Sequence, residues 1–351
     1  MQPELVCEVK FQEWTKDGSM RQPIFLGLRD DKPAEDVIRE RAKPTMMPEK
    51  NKEIRIGRQR VNFTHAEKVF WPKQGYTKGD LLAYYRGVAN ILLPHLKDRP
   101  ESLHRHPDGM EGAEFFQKDL LDHPAWVKTV PMRSETERKT IHYVLCNDEA
   151  TLAYLVQLGC IEINPWNSRL KKPDYPDYLI MDLDPEGVPF SAVVRVARAV
   201  KDVFDAAGAP SYCKTSGARG LHVYVPLGAK YTYEQVRLFA ELVTELVHAK
   251  LPNLTSLERG PSRREGKVYL DYPQNRRGAT TVAVYSVRPR PGATVSTPLR
   301  WEEVKSGLDP RRFTIKTVPQ RLAKWGDLWK PVLGPGIDMR RCLKRLSGRR
   351  A

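Results

Sequence analysis

YLIMDLDPEG, residues 178–187, runs an apolar strand directly into two aspartates and then into a proline that is expected to stop it. Side chains alternate faces along a strand, so Asp182 and Asp184 project from one face and Leu183 from the other. Two carboxylates side by side repel and raise one another's pKa unless a cation lies between them. Mg²⁺ and Mn²⁺ relieve that repulsion and take such oxygen ligands. An isolated D-x-D also fits a strand end whose acids cap the next helix or face water. A second stretch, KVYLDYPQNRRG at 267–278, changes that balance. It sets Asp271 between Leu270 and Tyr272, where a lone charge is rarely buried without a partner. If the two strands are neighbours, three strand-borne aspartates could share two metal ions, one activating a 3′-hydroxyl and one stabilising a leaving pyrophosphate.

Between the two strands lies CKTSGARGLHVYVP, residues 213–226. Its turn Ser216-Gly217-Ala218-Arg219-Gly220 is flanked by Lys214 and opens into a strand bearing His222. Glycines permit the positive φ angles that turn backbone N–H groups toward an anion. Ser216 can donate a hydrogen bond, and Arg219 can grip a phosphate bidentately. A strand–turn–strand order is wrong for a Walker A loop, which enters a helix through GK[ST]. Alone, the turn reads equally well as a hairpin loop with surface charge; beside the aspartates it reads as a triphosphate site.

Working outward, helical spacing marks KGDLLAYYRGVANILLPHL (Leu81, Leu82, Tyr85, Val88, Ile91, Leu92), DEATLAYLVQLG, FSAVVRVARAVKDVFDAAG and TYEQVRLFAELVTELVHAKL. The third carries Val193, Val196, Ala197, Val200, Val203 and Phe204 as its stripe, with Gly208 as a natural stop. Strands fit DYLIMDLD, GLHVYVPL, KVYLDYP and TTVAVYSVR, so the class is α+β, with sheets covered by helices on a face. ELVCEVKFQEW and PIFLGL near the N-terminus read as two further strands, the first half-buried. Residues 41–58 read as a charged, proline-rich linker, and the basic tail from 336 to 351 as frayed.

The 351 residues hold one large domain or two ordinary ones, and a net charge of +15 predicts attraction to a polyanion such as nucleic acid. No apolar run approaches the roughly 18 residues of a membrane span, and MQPELVCEVK has no secretory pattern. The scattered Cys7, Cys146, Cys160, Cys213 and Cys342 form no CxxC pair, which predicts reduced, mostly buried thiols in a cytoplasmic protein and no zinc ribbon.

DLDP, SGARGLH and YLDYPQN, in that order, resemble the three motifs of the archaeo-eukaryotic primase superfamily. Residues from about 59 to 335 are similar, more narrowly, to the polymerase domain of bacterial DNA ligase D, through THAEKVFWP, GYTKGDLLAYY, EFFQKD, KTSGARGLHVYVP, LDYPQNRRGAT and YSVRPRPGA. The resemblance implies a primase-polymerase fold with mixed and antiparallel sheets flanked by helices and an RRM-like catalytic core. It implies two divalent ions (Mn²⁺ or Mg²⁺) on Asp182, Asp184 and Asp271, with NTP or dNTP as substrate. Ser216, Arg219, His222, Gln274 and Arg288 would contact the incoming nucleotide, with Lys214 beside them. Phe115 and Phe116 match an aromatic pair that stacks at the template, and Lys68 and Lys78 match positions that bind a 5′-phosphate across a gap or break. Asn164 stands where His is expected and His104 where many relatives have Lys, while Arg105 is retained. These departures keep hydrogen-bonding ability and predict altered affinity for the triphosphate.

WTKDGSMRQPIFLGLRDDKP resembles the last motif of ATP-dependent DNA ligases, at the end of their OB domain, through Arg21, Pro23, Phe25, Arg29, Asp31 and Lys32. Residues 1–40 would then be part of such a domain, too short to close its barrel. The adenylation motif K-x-D-G is absent, so these residues predict no ligation by that chemistry. The expectation is a polymerase that fills gaps and extends DNA ends in bacterial non-homologous end joining, nucleoid-associated, favouring ribonucleotides. A DNA ligase and the end-binding protein Ku would be partners. A primase that starts chains de novo and a non-catalytic bridge between DNA ends are the alternatives.

Overall fold

The computed structural model describes residues 6–10, 19–20, 23–28, 52–134, 138–258, 260 and 264–348. The chain divides into two compact units, Met1–Pro48 and Glu49–Ala351. In the first, strands β1 (Cys7–Lys10) and β2 (Ile24–Leu28) pair antiparallel, with Cys7 opposite Leu28. Of the residues carrying the ligase resemblance, Pro23 and an exposed Phe25 are described; Arg21, Arg29, Asp31 and Lys32 lie outside the described residues. So do 41–51 of the expected linker.

The larger unit opens with a hairpin of β3 (Lys52–Ile56) and β4 (Gln59–Phe63), so the last part of the stretch read as linker is strand and turn. The reason is the alternation in Glu53-Ile54-Arg55-Ile56, which puts the isoleucines on one face, with Ile56 in the core. A short pair, β5 (Val69–Trp71) and β6 (Tyr76–Thr77), leads into helix α1 (Lys78–Leu96). Thr77 and Asp80 cap that helix reciprocally, a box whose N-cap side chain contributes about 1 kcal/mol. Leu81, Leu82, Tyr85, Val88 and Leu92 of its expected stripe are buried, and Ile91 is partly so.

A first sheet follows from β7 (Pro100–Arg105), β8 (Phe115–Gln117), β9 (Thr129–Arg133), β10 (Thr140–Leu145) and, after helix α2 (Glu149–Gln157), β11 (Cys160–Pro165). Its order is β11-β7-β10-β9, with β8 also pairing β7. The second sheet is built from β12 (Tyr178–Glu186), helix α3 (Phe190–Ala207), β13 (Tyr212–Thr215), β14 (Leu221–Pro226), helix α4 (Tyr233–Lys250), β15 (Thr255–Ser256), β16 (Lys267–Leu270) and β17 (Pro298–Leu299). Its order, β15-β16-β12-β14-β13-β17, contains a βαββαβ unit whose strands lie 4-1-3-2, the RRM-like arrangement. All its pairings are antiparallel except β15 with β16. The α+β expectation, with mixed and antiparallel sheets flanked by helices, is met.

Period-two alternation along β12 decides what the second sheet does. Leu179, Met181 and Leu183 enter a core shared with the buried faces of α3 and α4, while Tyr178 and Ile180 face the core that covers the first sheet. All six expected stripe residues of α3 are buried, and Gly208 ends the helix at φ 69°, a left-handed cap. Each buried Val there contributes roughly 1.5–3 kcal/mol relative to an exposed one.

Three local expectations are corrected. Pro185 does not stop β12, which continues to Glu186 by pairing with β16. TTVAVYSVR forms no strand: it is a buried strap whose amides turn to separate acceptors, Ala283 N–H to the Ile163 carbonyl and Tyr285 N–H to that of Ser296. Burial on all sides gives the same apolar run as a core strand. The tail is also ordered through Ser347 and Gly348: after helix α5 (Val318–Trp325), helix α6 (Met339–Leu346) places Met339 and Cys342 in the α3 core. Cys146, Cys160, Cys213 and Cys342 are buried and Cys7 is exposed, all as free thiols. Among the described residues no helix is long and apolar enough to cross a membrane.

Candidate active site

Strand register, more than any loop, assembles the site. Leu183 pairs with Leu270 on one side, and Asp182 pairs with His222 on the other. The Asp271 N–H donates to the Asp182 carbonyl at 2.9 Å, continuing the first ladder by one residue. His222 in turn pairs with Lys214. Directly opposed residues share a face at a Cβ separation of about 4.5–5.5 Å. A row Asp271–Asp182–His222–Lys214 therefore crosses the sheet on the face away from α3 and α4, with Asp184 two positions along from Asp182.

The electrostatics of that row are those of acids short of counter-charge. Burial pushes Asp182 up to about 6, despite the Lys214 and Arg288 charges. The neighbouring Asp182 charge, followed by burial, takes Asp184 to about 6. Burial and then Asp182 raise Asp271 as well. Asp182 Oδ1 is buried without a hydrogen bond; His222 Nε2 stands 3.2 Å away but outside hydrogen-bond geometry. An orphaned carboxylate oxygen among oxygen donors fits a hard divalent cation.

Behind the acids, Lys214 is fully buried and its ammonium donates to Ser296 Oγ at 2.6 Å and the Val282 carbonyl at 3.1 Å. Its Nζ lies 3.0 Å from His222 Nδ1. Burial lowers Lys214 to about 7 and takes His222 well below its usual value. Lys214 thus does not reach the cavity, contrary to its expected place beside the nucleotide. Lys214 shares the face of the acids, but the segment carrying Val282 and Ser296 packs over it and takes its ammonium, so it braces His222 from beneath that cover.

A polar cavity of about 290 Å³ opens on this face, lined by Asp182, Asp184, Ser216, Arg219, His222, Gln274, Arg288 and Asn164, together with Arg290 and Thr280 to Val282. Asp271 is not part of the lining; it stands across the strand from Asp182. Ser216 Oγ accepts from the Ala218 and Gly220 N–H groups at 3.1 and 3.0 Å, which closes the turn on itself. Gly217 has φ 72°, and a Cβ on Gly220 would meet the Leu183 carbonyl oxygen at 2.5 Å. Glycine at 220 is what lets the turn lie against β12 beside Asp184. Arg288 Nη1 donates to the Ser216 carbonyl at 2.9 Å, and Gln274 Nε2 to that of Thr280 at 3.1 Å.

Glu162, which the sequence reading passed over, organises the opposite wall. Its carboxylate meets Arg288 Nε at 2.7 Å, His104 Nδ1 at 3.1 Å and Asn164 Nδ2 at 3.2 Å. Burial alone would raise its pKa, but the His104 hydrogen bond and the Arg288 charge bring it down to about 2. The signal was present in CIEINP, a charge within an apolar strand, the same pattern that singled out Asp271. His104 and Arg105 belong to the first sheet and lie outside the cavity lining; Arg105 donates to the Leu158 carbonyl and Gln117.

Phe115 and Phe116 are exposed at 44% and 66%, so the pair is not core. Phe116 stacks on His104 with ring centroids 4.2 Å apart and planes at 10°, and the Arg105 guanidinium lies over Phe115. Lys68 pairs with Asp108, and Lys78 donates to Gln157 Oε1 and the Thr64 carbonyl. Burial and the nearby Lys68 charge lower Lys78 to about 8, so the two lysines stand together at the start of α1.

Comparison with known proteins agrees with the fold. Residues 77–329 match the model of the LigD primase-polymerase domain, and residues 1–32 that of the ATP dependent DNA ligase C terminal region. The chain is 32% identical to the multifunctional non-homologous end joining protein LigD of Pseudomonas aeruginosa, over 99% of this chain and 42% of that protein. It is 35% identical to the bifunctional non-homologous end joining protein LigD of Bacillus subtilis, over 76% of this chain and 43% of that one. It therefore spans less than half the length of these relatives. The solved polymerase domain from Mycobacterium tuberculosis ligase D in complex with DNA superposes with a TM-score of 0.74 at 32% identity, covering 80% of this chain and all of that one. With its RRM-like sheet and its row of aspartates, the chain belongs to the LigD primase-polymerase family.

Proposed function

We propose that the larger unit is a template-directed nucleotidyltransferase that fills gaps and extends DNA ends in non-homologous end joining. The observation that carries this reading is the register placing Asp182 and Asp271 side by side, with Asp184 on the same face. The reaction joins a 3′-hydroxyl oxygen to the α-phosphorus of an incoming nucleotide; the bond from that phosphorus to the α–β bridging oxygen breaks, pyrophosphate leaves with that oxygen, and the hydroxyl proton passes to solvent. Asp182, Asp184 and Asp271 would hold two divalent ions, Mn²⁺ or Mg²⁺, which supply charge stabilisation at the attacking and leaving oxygens. Arg219 and Arg288, with the Ser216–Gly220 turn, bind the triphosphate, and Arg288 is aimed by Glu162 and the Ser216 carbonyl. His222, braced by Lys214, stands beside Asp182 in the lining, while Gln274 and Asn164 line the nucleotide's side of the cavity.

Phe115 and Phe116 offer faces on which template bases stack. Lys68 and Lys78, beside the N-terminus of α1, suit the 5′-phosphate across a gap. A ligase activity and the end-binding protein Ku are the partners this role calls for, and ribonucleotides the preferred substrate. Primer extension on a gapped duplex, with and without the 5′-phosphate and with ribo- or deoxynucleotides, tests the reading. The expected result is metal-dependent extension, faster with ribonucleotides and with the phosphate present. Absence of extension with either metal, with DNA binding retained, would make the chain an end-bridging module.

A further inference from the structure

A second cluster of potential ligands lies on the first sheet, away from the aspartates. In β7 the register runs His104 opposite Phe116 and Arg105 opposite Phe115, so His106 falls opposite Glu114. Strand periodicity puts His104 and His106 on one face, with ring centroids 4.4 Å apart. Glu114 Oε2 lies 3.4 Å from His104 Nε2 and 3.6 Å from His106 Nδ1, and the ligand atoms all lie within 4.8 Å of one another. Neither contact has hydrogen-bond geometry. His104 Nε2 and both nitrogens of the fully buried His106 have no hydrogen-bond partner.

We propose that His104, His106 and Glu114 form a binding site for one zinc-class divalent cation, distinct from the aspartate row. The donor set is two imidazoles and a carboxylate, which suits a borderline cation better than Mg²⁺ or Ca²⁺. The two Glu114 contacts agree with four-coordination. Ligands about 2.0–2.1 Å from a tetrahedral ion stand roughly 3.3–3.5 Å apart, close to both Glu114 contacts. Water supplies the fourth ligand on the exposed Glu114 side.

The remaining nitrogen of His104 is already held. Nδ1 lies 3.1 Å from Glu162 Oε1, the carboxylate–histidine pairing that fixes a ring so that Nε2 presents its lone pair to a metal. Phe116 stacked on the same ring limits its rotation. Bound cation would also compensate the cost of burying His106 without partners, so it should raise the melting temperature.

Co²⁺, whose four-coordinate complexes absorb visibly, is the probe, followed by Zn²⁺ competition on the chelator-treated 351-residue chain. The parent should give an intense visible band that saturates at one equivalent and is displaced by one equivalent of Zn²⁺. His106→Asn should remove it, and Glu114→Gln should weaken binding at least tenfold; Glu114 is exposed, so that variant keeps the test decisive if His106→Asn fails to fold. Asp182→Asn should leave the band intact. No four-coordinate band in the parent, equal binding by Glu114→Gln, or loss of the band in Asp182→Asn would overturn the site. None of these readouts depends on polymerase activity, so failure here leaves the proposed function untouched.

Discussion

Two buried carboxylates serve the same cavity from different sheets, Asp182 as part of its lining and Glu162 behind the lining residues Arg288 and Asn164, and the protein treats them oppositely. Asp182, on β12, has Asp184 along its strand and Asp271 across it, with His222 on the other side but outside hydrogen-bond geometry, and burial raises it to about 6. Glu162, on β11, is held by Arg288, His104 and Asn164 and sits near 2. Burial is nearly equal, at 8% and 6% exposure, so the partners make the difference. A carboxylate with its partners in place is a structural pin; one without them is the kind of oxygen donor that the proposed cation site requires. Under the proposed function the aspartates on adjacent strands do the chemistry, and Glu162, in contact with Arg288, holds that arginine beside them.

That contrast can be broken by mutation. The largest effect falls on activity: Asp271→Ala should lower kcat/KM for extension by at least about 10³, since the metal contribution is worth several kcal/mol. Steady-state primer extension reads it, and a loss under tenfold would remove Asp271 from the cation site.

Stability should then separate the two acids by sign. Glu162→Gln leaves Arg288 without its carboxylate and should destabilise the protein by about 3 kcal/mol in denaturant titration. Asp182→Asn in metal-free protein should be neutral or stabilising, because it removes a poorly compensated buried charge. Losses of equal size in both variants would erase the distinction.

The pH dependence follows the same signs. The folded pKa of Asp182 is raised from 3.8 to about 6, so its favourable contribution is present below about 4 and is lost as pH rises through about 6. Metal-free parent should therefore fall relative to Asp182→Asn across that window, by on the order of 2–3 kcal/mol, and Mn²⁺ should restore it at pH 7. Glu162 is depressed from 4.5 to about 2, so its contribution is present above about 4.5 and is lost as pH falls toward 2. Thermal melts from pH 3 to 7 measure both. The smallest effect belongs to Phe116→Ala: template affinity should drop by about 1–3 kcal/mol per stacked base, with stability changed by under about 0.5 kcal/mol. Fluorescence anisotropy on overhanging DNA checks it.

What could be read from the sequence was whatever depended on period. The stripe of α3, the glycine that ends it, and the shared face of Asp182 and Asp184 all follow from spacing within one element. The pairing of β12 with β16 did not, because register is a property of two segments far apart in the chain. The 280–288 strap was misread because full burial erases alternation, and α6 because its charged residues hide Met339 and Cys342. Lys214 was read beside the nucleotide from its place next to the turn; its parity does put it on the acid face, and what covers it is the segment carrying Val282 and Ser296, far away in the sequence. Glu162 was missed although its sequence context resembles that of Asp271; what distinguishes a pinned acid from an unpaired one is three-dimensional.

The most direct measurement is single-turnover extension by Asp184→Ala beside its affinity for the same gapped DNA. Asp184 is exposed at the cavity, so the substitution leaves the cores intact. The account predicts that extension is abolished while the DNA dissociation constant changes by less than about twofold. Retained extension, or parallel loss of extension and binding, would contradict a catalytic row of aspartates.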